Sequence, residues 1–123
     1  MAEVKEYVGP LRSVVEKGQY EKVVTVCGDE VLLHIAKVHE EQAVNDATSN
    51  VPLLDRDYEK WVQRLSRCVT RVNGHVFPSV QDSMLFFKSL TQPHIEEYVT
   101  TYDKMVDEVR KRFSSNLQEI KNS

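Results

Sequence analysis

The sequence predicts an all-α fold: one antiparallel helical bundle of four main helices plus a short N-terminal helix, closed by a long C-terminal helix, in a single domain over residues 1–123. Three observations carry that expectation. Ile95, Val99, Tyr102, Val106, Val109, Phe113, Leu117 and Ile120 recur at steps of four and three, one apolar stripe on a long helix. Tyr58, Trp61, Val62, Leu65, Val69 and Val72 repeat the pattern on a second segment. Residues Gln19 to Asp46 contain no proline and place Val24, Cys27, Val31, Ile35 and Val38 on one helical face.

In chain order, Gly9-Pro10 is the first punctuation. Pro10 suits the first turn of a short helix, where its missing N–H costs nothing, and Gly18 ends that helix after Lys17. The Gln19–Asp46 segment has a broad apolar face, widened by Val23, Leu32 and Leu33, that suits a helix covered on two sides, with a kink or break at Gly28. Asn45 to Asn50, followed by Pro52, reads as a loop. Asp55 or Asp57 caps the next helix, which runs to Val72 until Asn73-Gly74 supplies a left-handed stop. Ser79 and Asp82 form a weak capping box ahead of the apolar helix Met84 to Leu90. Thr91-Gln92-Pro93 restarts the chain as the long final helix, about His94 to Ile120. The strict heptad breaks between Val109, Phe113 and Leu117, so any coiled-coil character should relax toward that end.

One segment supports a rival, mixed α/β reading. Lys22-Val23-Val24-Thr25-Val26-Cys27 is dense in β-branched residues and closes on Gly28-Asp29, as a buried strand before a turn would. A lone strand leaves its backbone groups unpaired, and the only second candidate, His75 to Phe77, is very short. The helical alternative is therefore preferred.

Composition bounds the function. At 41% hydrophobic and 28% charged, the chain can fill a core and solvate a surface. A net charge of −3 argues against phosphate-backbone binding, and so against nucleic acid as partner. No apolar run approaches the roughly 20 residues of a membrane span, and the first residues lack signal-peptide character, which together point to an intracellular, cytoplasmic protein. Cys27 and Cys68 lack CxxC spacing and read as buried, reduced thiols.

No catalytic, cofactor or metal constellation emerges. His34 and His39 are five apart and lie on different helical faces, while His75 and His94 fall in loops or helix starts, so no i,i+4 imidazole pair forms. Burial of Cys27 and Cys68 among valines and leucine keeps a thiol neutral, and no serine sits in a nucleophile elbow. His34-Ile35-Ala36-Lys37 resembles the His-x-x-Lys motif of histidine phosphotransfer domains, which implies a phosphorylatable His34; Val38 stands where that family carries a small residue. Gly18-Gln19-Tyr20 resembles the start of the second helix of a tetratricopeptide unit, with Val23 where that family prefers alanine and with no second copy. Trp61 and Leu65 are expected in the core, whereas one ring of the adjacent pair Phe86-Phe87 must turn away from it.

These readings converge on a non-enzymatic protein-interaction module, a small subunit or adaptor, that needs no cofactor and binds a protein partner or a second copy of itself. The expected partner-binding residues are Val109, Phe113, Leu117 and Ile120, at the end of the C-terminal stripe. Two alternatives accompany this: a bundle enclosing a lipid or other apolar ligand between Met84, Phe86, Phe87, Met105 and Phe113, and a signalling domain using His34.

Overall fold

In the computed structural model, which describes residues 20–122 and the side chains of residues 20–112, the chain is α+β rather than all-α. Strands β1 (Glu21–Val26) and β2 (Asp29–His34) are followed by helices α1 (Val38–Thr48) and α2 (Leu53–Cys68). Strands β3 (Val69–Val72) and β4 (His75–Val76) come next, then α3 (Val80–Lys88) and α4 (Gln92–Asn122). The strands form one antiparallel sheet in the order β1-β2-β3-β4.

This corrects the bundle expectation at its two ambiguous points. Residues 21–34, read as a helix kinked at Gly28, form a hairpin instead: Val26 pairs with Asp29, and Cys27 and Gly28 form the two-residue loop with φ of 51° and 83°. Asn73-Gly74, read as a helix stop, is the same device, with φ of 49° and 82° between β3 and β4. Positive φ at both loop residues is the signature of a type I′ turn, whose twist matches that of the flanking strands. The left-handed conformation that ends a helix also closes a hairpin, so the glycine was located correctly and its role was not.

The strand that β1 needed is its own neighbour β2, and β2 in turn pairs with β3, where Val31 faces Val72 and Leu32 faces Arg71. The register slips between Leu32 and Leu33, which leaves Thr70 as the additional residue of a bulge in β3. The two turns are tied together. Asn73 donates its backbone N–H to the Glu30 carbonyl (2.7 Å), its Oδ1 accepts the Glu30 N–H (2.8 Å), and its Nδ2 donates to Asp29 Oδ1 (2.8 Å).

Strand alternation decides which side of the sheet is buried. Val24, Val26, Val31, Leu33, Val69 and Val72 turn toward the core, where they cluster with Val62 and Leu65 of α2, Phe87 of α3, and Ile95, Tyr98, Tyr102, Met105 and Val109 of α4. Val23, Thr25 and Glu30 lie exposed on the opposite face. The long helix therefore lays its stripe on a sheet, and the coiled-coil expectation falls with the bundle.

Helix α1 runs to Thr48, into the Asn45–Asn50 segment read as a loop, and α2 begins at Leu53 directly after Pro52 rather than at a cap by Asp55 or Asp57. Glu40 accepts the Lys37 N–H at the start of α1 (2.9 Å). Ser79 caps α3 by accepting the Asp82 N–H (3.2 Å), as the Ser79/Asp82 spacing predicts. In α2 the helix stops at Cys68, four residues before the predicted end, because Val69 to Val72 are recruited into the sheet. The short leading helix expected at Pro10 to Lys17 lies outside the described residues.

Candidate functional site

The apolar stripe of α2 runs off the body of the protein. Leu65 is fully buried and Trp61 partly so, while Tyr58 is 42% and Leu54 98% exposed. These positions follow at i, i+4, i+7 and i+11, so they share one helical face whose N-terminal half has no described element beneath it. Leu53, also 78% exposed, broadens the patch where the α1–α2 connection turns. Two adjacent leucines held in water at a helix start gain nothing for the fold, since full burial of each would contribute roughly 1.5–3 kcal/mol. Leu53, Leu54 and Tyr58 together make this end of α2 a candidate interaction surface.

At Trp61 the stripe enters a groove of about 690 Å³ between α2, α4 and the segment after β2. Ile35, Ala36, Trp61, Tyr102 and Val106 supply its apolar lining, while Asp103, Lys104, Asp107 and Arg110 border it along α4. The floor is rigidly made. Trp61 meets the edge of Tyr102 at a centroid separation of 5.5 Å and 80° between planes. The Tyr102 hydroxyl accepts the Ala36 N–H (3.0 Å), fixing α4 to the end of β2. Arg64 lies over the Trp61 ring, 4.6 Å from its centroid, and its Nε and Nη2 donate to the two carboxylate oxygens of Glu41. Those hydrogen bonds raise the Arg64 pKa, against the opposing effect of burial, and hold the guanidinium charged. Because Arg64 already covers one face of Trp61 and is neutralised by Glu41, the floor of the groove offers apolar surface, and charge is confined to its α4 border.

Midway along the long helix, Glu108 joins α4 to β1: it accepts hydrogen bonds from the Tyr20 hydroxyl (3.0 Å) and from Lys22 Nζ (3.2 Å). The hydrogen bond from Tyr20 is the main cause of its lowered pKa, while burial first and the Glu108 contact second push Tyr20 up to about 12.

Of the expected partner-binding residues, Val109 is 9% exposed and belongs to the core. Phe113, Leu117 and Ile120 continue its helical face on α4, whose backbone runs to Asn122, and their side chains lie outside the described residues. Trp61, expected in the core, is instead half-buried at the groove, and Leu65 is buried as expected. Phe87 is buried and Phe86 partly exposed against Phe77, the division that adjacent positions on a helix impose. The patch at Leu53, Leu54 and Tyr58 escaped sequence reading; its signal was the extension of the α2 stripe one turn before Tyr58, hidden by the choice of Asp55 or Asp57 as the cap.

The other chemical candidates fall as follows. His34 ends a strand rather than standing on a helix face, is 5% exposed, and its Nε2 sits 3.0 and 3.1 Å from the carboxylate oxygens of Glu40. That geometry differs from the surface helix which the phosphotransfer resemblance implies. Tyr20 leads into β1, not into a second tetratricopeptide helix. Cys68 is buried and its thiol is pushed far up by desolvation, as expected, whereas Cys27 is exposed in the β1–β2 turn, contrary to expectation. Phe87 and Met105, proposed walls of an apolar cavity, are packed within the core, and Met84 and Phe86 lie against it. Among the described residues no group of three or more His, Cys, Asp or Glu side chains is placed to hold a metal ion, and no helix is long and apolar enough to cross a membrane. No protein-family model, curated protein or solved structure matches the chain.

Proposed function

We propose that this protein is a non-enzymatic interaction module, a small subunit or adaptor of a larger assembly, which docks a partner protein along the α2 stripe and the adjoining groove beside α4. The observation that carries this reading is the burial gradient on one helix face, from Leu65 at 0% to Leu54 at 98% exposed. An amphipathic helix laid in such a groove would cover Leu54, Tyr58 and Trp61 at their i, i+4, i+7 spacing, the usual geometry of helix-in-groove recognition. The C-terminal continuation of α4 with Phe113, Leu117 and Ile120 is a second contact surface of the same kind, supported by a helix that runs about 20 Å past Val109 at 1.5 Å per residue. The formal charge of −3 supports a protein rather than a nucleic-acid partner. Two free thiols, one of them exposed, support a reducing intracellular setting.

A photo-crosslinking amino acid at position 54, introduced into the full chain in its native cell, tests the reading. Discrete adducts at position 54, absent when the probe is moved to Thr25 on the exposed face of the sheet, are the expected result. Failure to form any adduct, with the variant folded and expressed, would sink the proposal.

A further inference from the structure

We infer that the occupant of this surface is a second copy of the same chain: residues 110–121 of α4 in one copy lie along the Leu54–Tyr58–Trp61 stripe and groove of another. This assignment rests on the interaction reading above and adds the identity of the partner.

Two complementarities select that segment. The first is apolar. The stripe offers Leu54, Tyr58 and Trp61 on successive turns, and α4 beyond Arg112 carries Phe113, Leu117 and Ile120 at steps of four and three on an unbroken helix. The second is charge. Between Asp46 and Tyr58 three aspartates stand against Arg56, whose guanidinium is turned back onto the Val51 carbonyl (3.0 Å). Asp46, Asp55 and Asp57 are exposed, and among the described residues no ion pair engages them. Between Arg110 and Asn122 four basic residues, Arg110, Lys111, Arg112 and Lys121, stand against Glu119 alone. Asp55 and Asp57 beside exposed Leu54 match the basic helix in sign, and the apolar steps of four and three on the two helices match in spacing.

The same copy cannot satisfy both surfaces. Helix α4 is continuous from Gln92 to Asn122, and its residues Thr100 to Arg110 already form one wall of the groove. A rod that builds the wall cannot also fold back to fill the trench. The two complementary patches are different surfaces of one molecule, so copies either exchange helix and stripe reciprocally in a pair or pass them on successively in a ring or an open chain.

Light scattering after size exclusion on two full-length variants tests this. The stripe variant carries Leu54→Asp and Tyr58→Asp; the helix variant carries Leu117→Asp and Ile120→Asp. Wild type should exceed the 14.2 kDa of one chain, with mass rising with concentration, and its association constant should fall at least about tenfold between about 0.05 M and 0.5 M salt. Each variant alone should be monomeric. Mixed, they should give a species of twice the chain mass and no larger, because each supplies the one surface the other lacks. Monomeric wild type, or a mixture that remains monomeric while both variants keep their helical content, overturns the inference. If the helix variant loses helical content, Lys111→Glu with Arg112→Glu replaces it, and restoration of assembly by Asp55→Lys with Asp57→Lys on the other copy is then required. Adducts from position 54 to other proteins only would overturn the second copy as partner and leave the interaction reading intact; absence of all adducts would remove both.

Discussion

Leu65 and Leu54 are the same residue type on the same face of the same helix, and the structure predicts opposite consequences for truncating them. Leu65 is completely buried among Val62, Cys68 and the sheet valines. Its replacement by alanine removes three carbons, a transfer loss of about 2.4 kcal/mol at roughly 0.8 kcal/mol per methylene. Incomplete collapse of the surrounding core adds a cavity contribution, which brings the total to about 2.7–5 kcal/mol. For a chain of this length each kcal/mol lowers the melting temperature by about 4 °C, so a fall of roughly 10–20 °C is expected. Leu54→Ala, at 98% exposed, should change stability by less than about 0.5 kcal/mol. Urea unfolding followed by circular dichroism measures both, provided the dependence on urea keeps the same slope in all three proteins. A Leu65→Ala cost below about 1 kcal/mol, or a Leu54→Ala cost comparable to it, would refute the burial gradient on which the proposed interaction surface depends.

Three further outcomes are expected. Gly74→Ala should cost about 1 kcal/mol through its positive φ of 82° alone, since an added Cβ meets nothing within 4 Å, whereas Asn73→Ala should cost about 1–2 kcal/mol, from its own positive φ of 49° and the loss of its solvent-exposed hydrogen bonds to Glu30 and Asp29; negligible effects of both in thermal melts would argue against the paired turns. Tyr20, Tyr98 and Tyr102 are each raised to about 12, chiefly by burial, so their neutral forms are favoured in the folded state: that stability is complete below the ordinary tyrosine value near 10 and is lost as pH climbs through about 12. Ultraviolet titration should show tyrosinate appearing together with unfolding across that window, and ionisation of all tyrosines near pH 10 in the folded protein would contradict it. With a thiol reagent, the native protein should react at Cys27 and leave Cys68 untouched until denaturant is added; prompt labelling of both sulfurs would place Cys68 outside the core.

The sequence alone determined the elements whose bonds are local. Helix α2 through Leu65, the Ser79-capped α3 and the long α4 follow from apolar spacing and capping residues, because a helix pairs each N–H with a carbonyl four residues away and its pattern is contained in its own window. The core placement of Leu65 follows from its stripe, whereas Val109, expected at a partner surface, is drawn into the core by the sheet beneath α4. Tertiary structure decided the rest. Val24, Cys27, Val31 and Ile35 satisfy a helical period, yet Val24 and Val31 face each other across a hairpin and Val31 faces Val72 forty-one residues onward. Val69 and Val72 likewise keep the period of α2 after the chain has left it for the sheet. Hydrogen bonds between strands join residues far apart in sequence, so no window around either partner displays them. Asn73-Gly74 specified a left-handed backbone, and only the contact of Asn73 with Asp29 and Glu30 made it a hairpin turn rather than a helix end. The proposed interaction surface also depends on tertiary packing: the periodicity of α2 marks an apolar face along its whole length, and the sheet, α3 and α4 cover the half that includes Leu65, leaving Leu54 exposed and Tyr58 partly so.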